Sequence, residues 1–219
     1  MNMNKFAAQV HDNAVKHGWW ESERPITETV SLIHSEWSEA LEEYRAGRPM
    51  EYRICHEDPE EKAICNPKDE AECLNYGKEQ TCKYYGAKPE GIAVELVDGC
   101  IRIMDLLSKS DYRFSCATMQ ELISRTQKAN PLLTKETPLP QLVAVLHSLT
   151  AKAGDTYLGV TKAMNVQRGT AIQMALSPLE AAIGVAMHWV QANGIDAEAI
   201  IVRKHNFNLT RPYKHGKLC

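Results

Sequence analysis

Apolar residues along this chain recur at intervals of three and four, the spacing that puts side chains on one face of an α-helix. Phe6, Val10 and Ala14 set this period over residues 4–16, and Gly18 offers a stop because glycine accepts the left-handed backbone that follows a helix end. A longer helix opens at Pro25, a residue suited to the first helical turn, and carries Val30, Ile33, Trp37, Leu41 and Tyr44 before Gly47 and Pro49 end it. Leu96, Cys100, Ile103 and Leu107 define another over 92–107. Further helical stretches are predicted at 119–128, 141–153, 178–192 and 197–207. No stretch shows strand alternation, so the pattern predicts an all-α fold, a helical bundle.

The period collapses between about 50 and 89. This segment holds Pro59 and Pro67, many charges and four cysteines, and reads as an insertion with little core of its own. Asn130-Pro131 and the run Thr137-Pro138-Leu139-Pro140 mark a boundary between residues 1–130 and 131–219. Ile33-His34-Ser35 in the first part returns as Leu146-His147-Ser148 in the second, each after a proline-opened apolar start. That repetition suggests an internal duplication, a pseudo-dimer within one chain.

The chain has 219 residues with a formal net charge of −3, enough length for a core without staples and too little positive charge for a broad nucleic-acid surface. No apolar run reads as a membrane span or a signal peptide, so the expectation is a cytoplasmic protein. The cysteine count of seven is odd, which argues against an obligatory disulfide framework. Cys55, Cys65, Cys73 and Cys82, with His56 nearby, could bind a structural Zn²⁺; no pair forms a CxxC knuckle, and free or redox-labile thiols are an equal reading.

The chemistry gathers on two helices. One carries Glu36 and Glu39, the other Glu95 and Asp98, each pair three residues apart and so on one face. If the apolar stripes of the two helices pack together, four carboxylates converge at the seam. Like charges so placed repel and resist desolvation, and a divalent cation is the simplest compensation. Hard oxygen ligands suit Mg²⁺, and Mn²⁺ accepts the same donors. Glu42 and Glu43 read as ordinary surface charge.

Gly18-Trp19-Trp20, the run from Leu32 through Glu36-Trp37-Ser38-Glu39 to Arg45, and Glu95-Leu96-Val97-Asp98 together resemble the MazG-like all-α nucleoside triphosphate pyrophosphohydrolases. This superfamily also holds dimeric dUTPases, dCTP pyrophosphatases and phosphoribosyl-ATP pyrophosphohydrolases. The resemblance implies that Glu36, Glu39, Glu95 and Asp98 bind Mg²⁺ and serve cleavage between the α- and β-phosphates of a nucleotide, giving a monophosphate and pyrophosphate. The tail around Lys204, Asn208, Arg211 and Lys214 resembles the family's C-terminal segment. It implies that Lys204, Arg211 and Lys214 neutralise triphosphate charge and that Asn208 bonds phosphate or sugar.

Trp20 and Trp37 are candidates to stack a base, though Trp37 lies on the apolar stripe, a core position. His34, one turn from the carboxylates, is a candidate to order water or substrate, and Arg102 either contacts phosphate or pairs with Asp98 within its helix. The chain departs from the family pattern in two ways. About a hundred residues separate Asp98 from Lys204, and Leu149 and Lys152 stand where the repeat would place Glu36 and Glu39. A catalytically silent all-α interaction module, and a hydrolase for a non-standard nucleotide such as phosphoribosyl-ATP, therefore stay open as alternatives. So does the choice between a homo-oligomer and a self-contained pseudo-dimer.

Overall fold

A computed structural model describes residues 1–55, 63–65, 88–162 and 168–216. These residues are mostly helical. The α-helices are α1 (Met3–Lys16), α2 (Ile26–Arg45), α3 (Ile92–Lys109), α4 (Met119–Ala129), α5 (Leu139–Lys162), α6 (Arg168–Ala192) and α7 (Ala197–Leu209), with a 3₁₀ turn at Tyr213–Gly216. Side-chain caps start three of them. Asn2 accepts from the Lys5 amide at 2.9 Å, Thr118 and Glu121 form a capping box, and Asp196 accepts from the Glu198 and Ala199 amides, each at 3.0 Å.

Helices α2, α3, α5 and α6 form the centre: α2 lies on α3, α5 on α6, α2 on α5 and α3 on α6. Helix α1 packs on α3, α4 packs on α6, and α7 covers α3. Trp37 is fully buried at the crossing of α2 and α3, its ring over Gly99, and donates from Nε1 to Thr150 Oγ1 of α5 at 3.0 Å. Trp37 is thus a core residue, and a side chain at Gly99 has no room beside it.

Several contacts of α1, α2 and α3 recur in α4, α5 and α6. Met3 N–H donates to the Ala117 carbonyl at 2.9 Å and Met119 N–H to the Met1 carbonyl at 3.1 Å, so the starts of α1 and α4 lie antiparallel on each other. The buried residues Met3, Phe6, Ala7 and Val10 of α1 correspond in order to Met119, Leu122, Ile123 and Thr126 of α4. The carbonyls of Pro25 and Pro138 open α2 and α5 alike, taking amides of Glu28 and Thr29 in one and of Gln141 and Leu142 in the other. His34 meets His147 and Trp37 meets Thr150, both pairs 113 residues apart. Helices α3 and α6 end in the same way: Tyr112 N–H returns to Leu107 and Ile195 N–H to Val190, after Asp111 and Gly194, both at positive φ.

Three features differ from the pattern-based reading. A small antiparallel sheet stands at the base of the insertion, where β1 (Tyr52–Cys55) pairs with β2 (Ala63–Cys65) and with β3 (Pro89–Glu90), in the order β2-β1-β3. Strands of four, three and two residues are too short to register as alternation. Second, α6 begins ten residues before Pro178 and runs through it. Proline cannot donate to the Met174 carbonyl, and Ser177 Oγ does so instead at 2.9 Å. Third, Gly169–Ala192 is long and apolar enough, by length and composition, to cross a membrane, and 56% of its apolar window is buried inside the bundle.

The sheet register sets Arg53 opposite Cys65 and Cys55 opposite Ala63. Cys73, Cys82 and the side chains of Cys55 and Cys65 lie outside the described residues, and the zinc expectation with them. Cys100 and Cys116 are free and buried.

Candidate metal centre

Helices α2 and α3 pack through their apolar stripes, and this brings their acidic faces to one seam. One carboxylate oxygen from each of Glu36, Glu39 and Glu95 lies within 4.8 Å of the others. Glu36 and Glu95 are buried, and Glu39 is exposed at the rim. Burial pushes the Glu36 carboxyl above its ordinary range, and Asp98 and Glu39 add to the effect while Arg102 opposes it. Burial likewise raises Glu95, to about 8, with Asp98 repelling its charge and Lys204 offsetting part of that repulsion.

Asp98, one turn along α3 from Glu95, borders this cluster but points to a cation. The Lys204 ammonium, buried on α7, lies 2.8 Å from Asp98 Oδ2 and donates to the Pro89 carbonyl at 3.3 Å. A buried ammonium is tenable only with such partners. Arg102 pairs across the seam with Glu36, through Nε and Oε1, rather than with Asp98 within its own helix. Lys88 joins from the strand side, 2.6 Å from Glu90, close enough to Glu95 and Asp98 for both to favour its charge.

A cleft of about 140 Å³ is lined by Glu36, Asp98, Arg102, Asn13 and Asn208, together with Trp19, Arg24 and Arg211. The sequence-level candidates divide accordingly. Glu36, Glu39, Glu95, Asp98, Arg102, Lys204, Asn208 and Arg211 meet at the cluster or the cleft. Trp20 does not line it: its Nε1 donates to both oxygens of Asp105, at 3.0 and 3.1 Å, and its neighbour Trp19 takes the wall. His34 does not line it either, being held edge to edge with His147, Nδ1 to Nδ1. Lys214 lies 3.6 Å from Glu21 and caps the His17 turn instead. There Gly18, at φ +79°, lies against the Tyr213 ring, where a Cβ would collide. Glu43 departs from the surface reading: it is half-buried against Tyr52, whose hydroxyl is pushed up to about 12 by burial and by Glu43.

Pattern reasoning missed Asn13, Trp19, Arg24, Lys88 and Glu90. Trp19 had a signal, its place in a loop before α2; the others are assigned only by how α1 and the returning strand pack. No protein-family model, curated protein or solved structure matches this chain.

The donor set suits a hard divalent ion. It consists of carboxylate oxygens on rigid helices, two of them buried at a cost that a bound cation would offset.

Proposed function

We propose that the chain is a Mg²⁺-dependent nucleotide pyrophosphohydrolase that cleaves a nucleoside triphosphate to its monophosphate and pyrophosphate. The observation that carries this reading is the convergence of Glu36, Glu39 and Glu95 oxygens within 4.8 Å, on the acidic pairs that resemble the MazG-like signature. The adjoining cleft, with Arg102 and Arg211 on it, supports it further.

Glu36, Glu39 and Glu95 would hold the metal, with Asp98 beside them. When bound, Mg²⁺ acidifies a water and neutralises phosphate charge. The protein's own groups do the rest. Arg102 exchanges Glu36 for a phosphate oxygen as substrate enters, and Arg211 binds the outer phosphates from the cleft wall. Lys204 fixes the rotamer of Asp98, which otherwise would repel the incoming anion. Glu39, the most exposed of the three carboxylates, is the natural group to take a proton from the attacking water at the rim.

The matching contacts of the halves support the duplication. A residue that touches its own equivalent, as His34 touches His147, lies on the axis of an isologous, two-fold contact. On this reading α1, α2 and α3 correspond to α4, α5 and α6, with the boundary before α4 rather than at residue 130. The equivalents of Glu36, Glu39, Glu95 and Asp98 are then Leu149, Lys152, Pro178 and Ala181, so one half binds metal and the other supports it. Sedimentation should accordingly give a monomer with one metal-binding site; a stable dimer would count against a self-contained unit.

The functional test is product analysis. Pure protein is incubated with the common ribo- and deoxynucleoside triphosphates, with Mg²⁺ and with EDTA. Monophosphate plus pyrophosphate, lost in EDTA, is the expected result. Absence of turnover, together with absence of Mg²⁺ binding by the wild type, would overturn the reading.

A further inference from the structure

Two groups on the cleft have no role in the chemistry above. Asn13, on α1, is 8% exposed and Asn208, on α7, is 9% exposed. The side-chain carbonyl oxygen of each is buried and, among the described residues, accepts no hydrogen bond. Both residues line the same cleft. A buried amide oxygen without a donor carries the full desolvation penalty of that group, and folded proteins rarely keep one without a reason. Here two line one cleft, from two different helices.

The rest of the lining mixes apolar side chains, Val10, Leu32 and Ile101, with the polar Asp105, His205 and Arg211. Trp19 closes one side, with the Arg24 guanidinium 5.3 Å from its ring centre. This is a slot for a flat, partly apolar group that presents N–H donors at its edge. Among nucleobases the donor count discriminates. Uracil and thymine, joined to sugar through N1, keep one ring N–H, between two carbonyls. Adenine and cytosine carry an exocyclic amine with two hydrogens, and guanine has an amine beside a ring N–H. An asparagine amide is a known match for the adenine edge, accepting from its amine. Uracil or thymine, with a single N–H, would satisfy one oxygen at most and leave the other unpaired.

We propose that Asn13 and Asn208 form a base-recognition subsite that accepts an amino-bearing nucleobase and rejects uracil and thymine. The proposal rests on the nucleotide reading and narrows its substrate class; Asn208, expected from the tail to contact phosphate or sugar, reads the base instead. Its selectivity follows from the asymmetry of buried polar sites: a wrong base leaves a carbonyl unpaired, which costs more than a missing apolar contact.

The test separates base recognition from hydrolysis. Binding of dAMP, dCMP, dGMP, TMP and dUMP to the whole protein is measured by calorimetry in EDTA, and pyrophosphate release from the corresponding triphosphates is measured with Mg²⁺. At least one amino-bearing monophosphate should bind about tenfold or more tightly than TMP and dUMP. Asn13→Ala should narrow that gap, while Asn13→Asp, which keeps an acceptor in place, should retain it. Asn13→Leu should not lower the melting temperature of the free protein, because it removes an unpaired oxygen rather than a structural bond.

Equal binding of all five, no binding of any, or an Asn13→Ala loss shared equally by every base would overturn the proposal. Base selectivity without pyrophosphate release from any triphosphate would uphold the subsite and sink the hydrolase reading. Equal release from all the triphosphates, with equal binding, would do the reverse.

Discussion

His34 and His147 meet head-on through their Nδ1 atoms. Their rings are nearly coplanar, edge to edge, with centres 5.0 Å apart and the Nδ1 atoms 2.7 Å from each other, so in the neutral pair one nitrogen donates and the other accepts. Burial lowers both below the ordinary histidine range, and for His147 the neighbouring His34 lowers it further. The folded state thus favours the neutral pair. Its contribution is full above about pH 6.5, the unfolded value, and is lost as pH falls through the lowered folded values. Melting temperature followed between about pH 5 and 8 should drop on the acid side for the wild type and less for His147→Gln. An identical profile for the variant would show that the pair does not set the acid limb.

Glu95 gives the opposite sign. Its folded value is raised to about 8, so without metal it adds stability below its unfolded value and loses it as pH rises through about 8. In EDTA, Glu95→Gln should therefore melt above the wild type at alkaline pH, by about 2–4 °C for each kcal/mol relieved. Mg²⁺ should raise the melting temperature of the wild type alone, more strongly at higher pH, because the ion binds the deprotonated carboxylate. Stability of the variant equal to or below that of the wild type in EDTA would contradict this account.

Glu39 is exposed at the cluster's rim, so its replacement tests chemistry with little effect on the fold. Glu39→Gln should lower turnover by about 10²–10⁴-fold, with an unchanged melting temperature in EDTA. A fully active Glu39→Gln enzyme would remove this residue from the site.

Trp37 and Gly99 are coupled by contact. Trp37→Ala should cost about 3–5 kcal/mol and Gly99→Ala about 1–3 kcal/mol in denaturant unfolding. With the ring gone, the added methyl of Gly99→Ala has space, so the double variant should be less destabilised than the two costs together. Additive effects would mean that the helices can shift apart.

The cysteine segment is open to direct assay. The zinc expectation predicts one tightly bound zinc per chain by elemental analysis, lost when Cys55, Cys65, Cys73 and Cys82 are all replaced by serine. Four freely titrating thiols and no zinc would dismiss it.

The readable parts of this chain are those where a single period runs unbroken. The stripe of α3 and the stripe of α2 predicted that the two helices would pack, and with them that Glu36, Glu39 and Glu95 would meet. What the sequence hid depends on distant packing. Asn13 looks like an ordinary polar residue on α1 until the packing of α7 puts Asn208 on the same cleft. Trp19 and Trp20 are indistinguishable as letters, and only the bond from Trp20 to Asp105 decides which of them faces the cleft. The sheet escaped notice because a four-residue strand carries too few positions to show a period. Pro178 looked like a helix start because a serine one residue earlier, able to stand in for the missing amide, is no signal by itself.

The pairing of β1 with β3 has a consequence for how the chain tolerates change. Tyr52 lies across from Glu90 and Arg53 across from Pro89, so the polypeptide leaves the bundle and re-enters it through adjacent backbones. Those same rungs hold Glu90, the partner of Lys88, and the Pro89 carbonyl, which takes the Lys204 ammonium. The doorway of the insertion is thus also a wall of the acidic cluster, and a change that parts the two rungs is felt at Glu95 and Asp98.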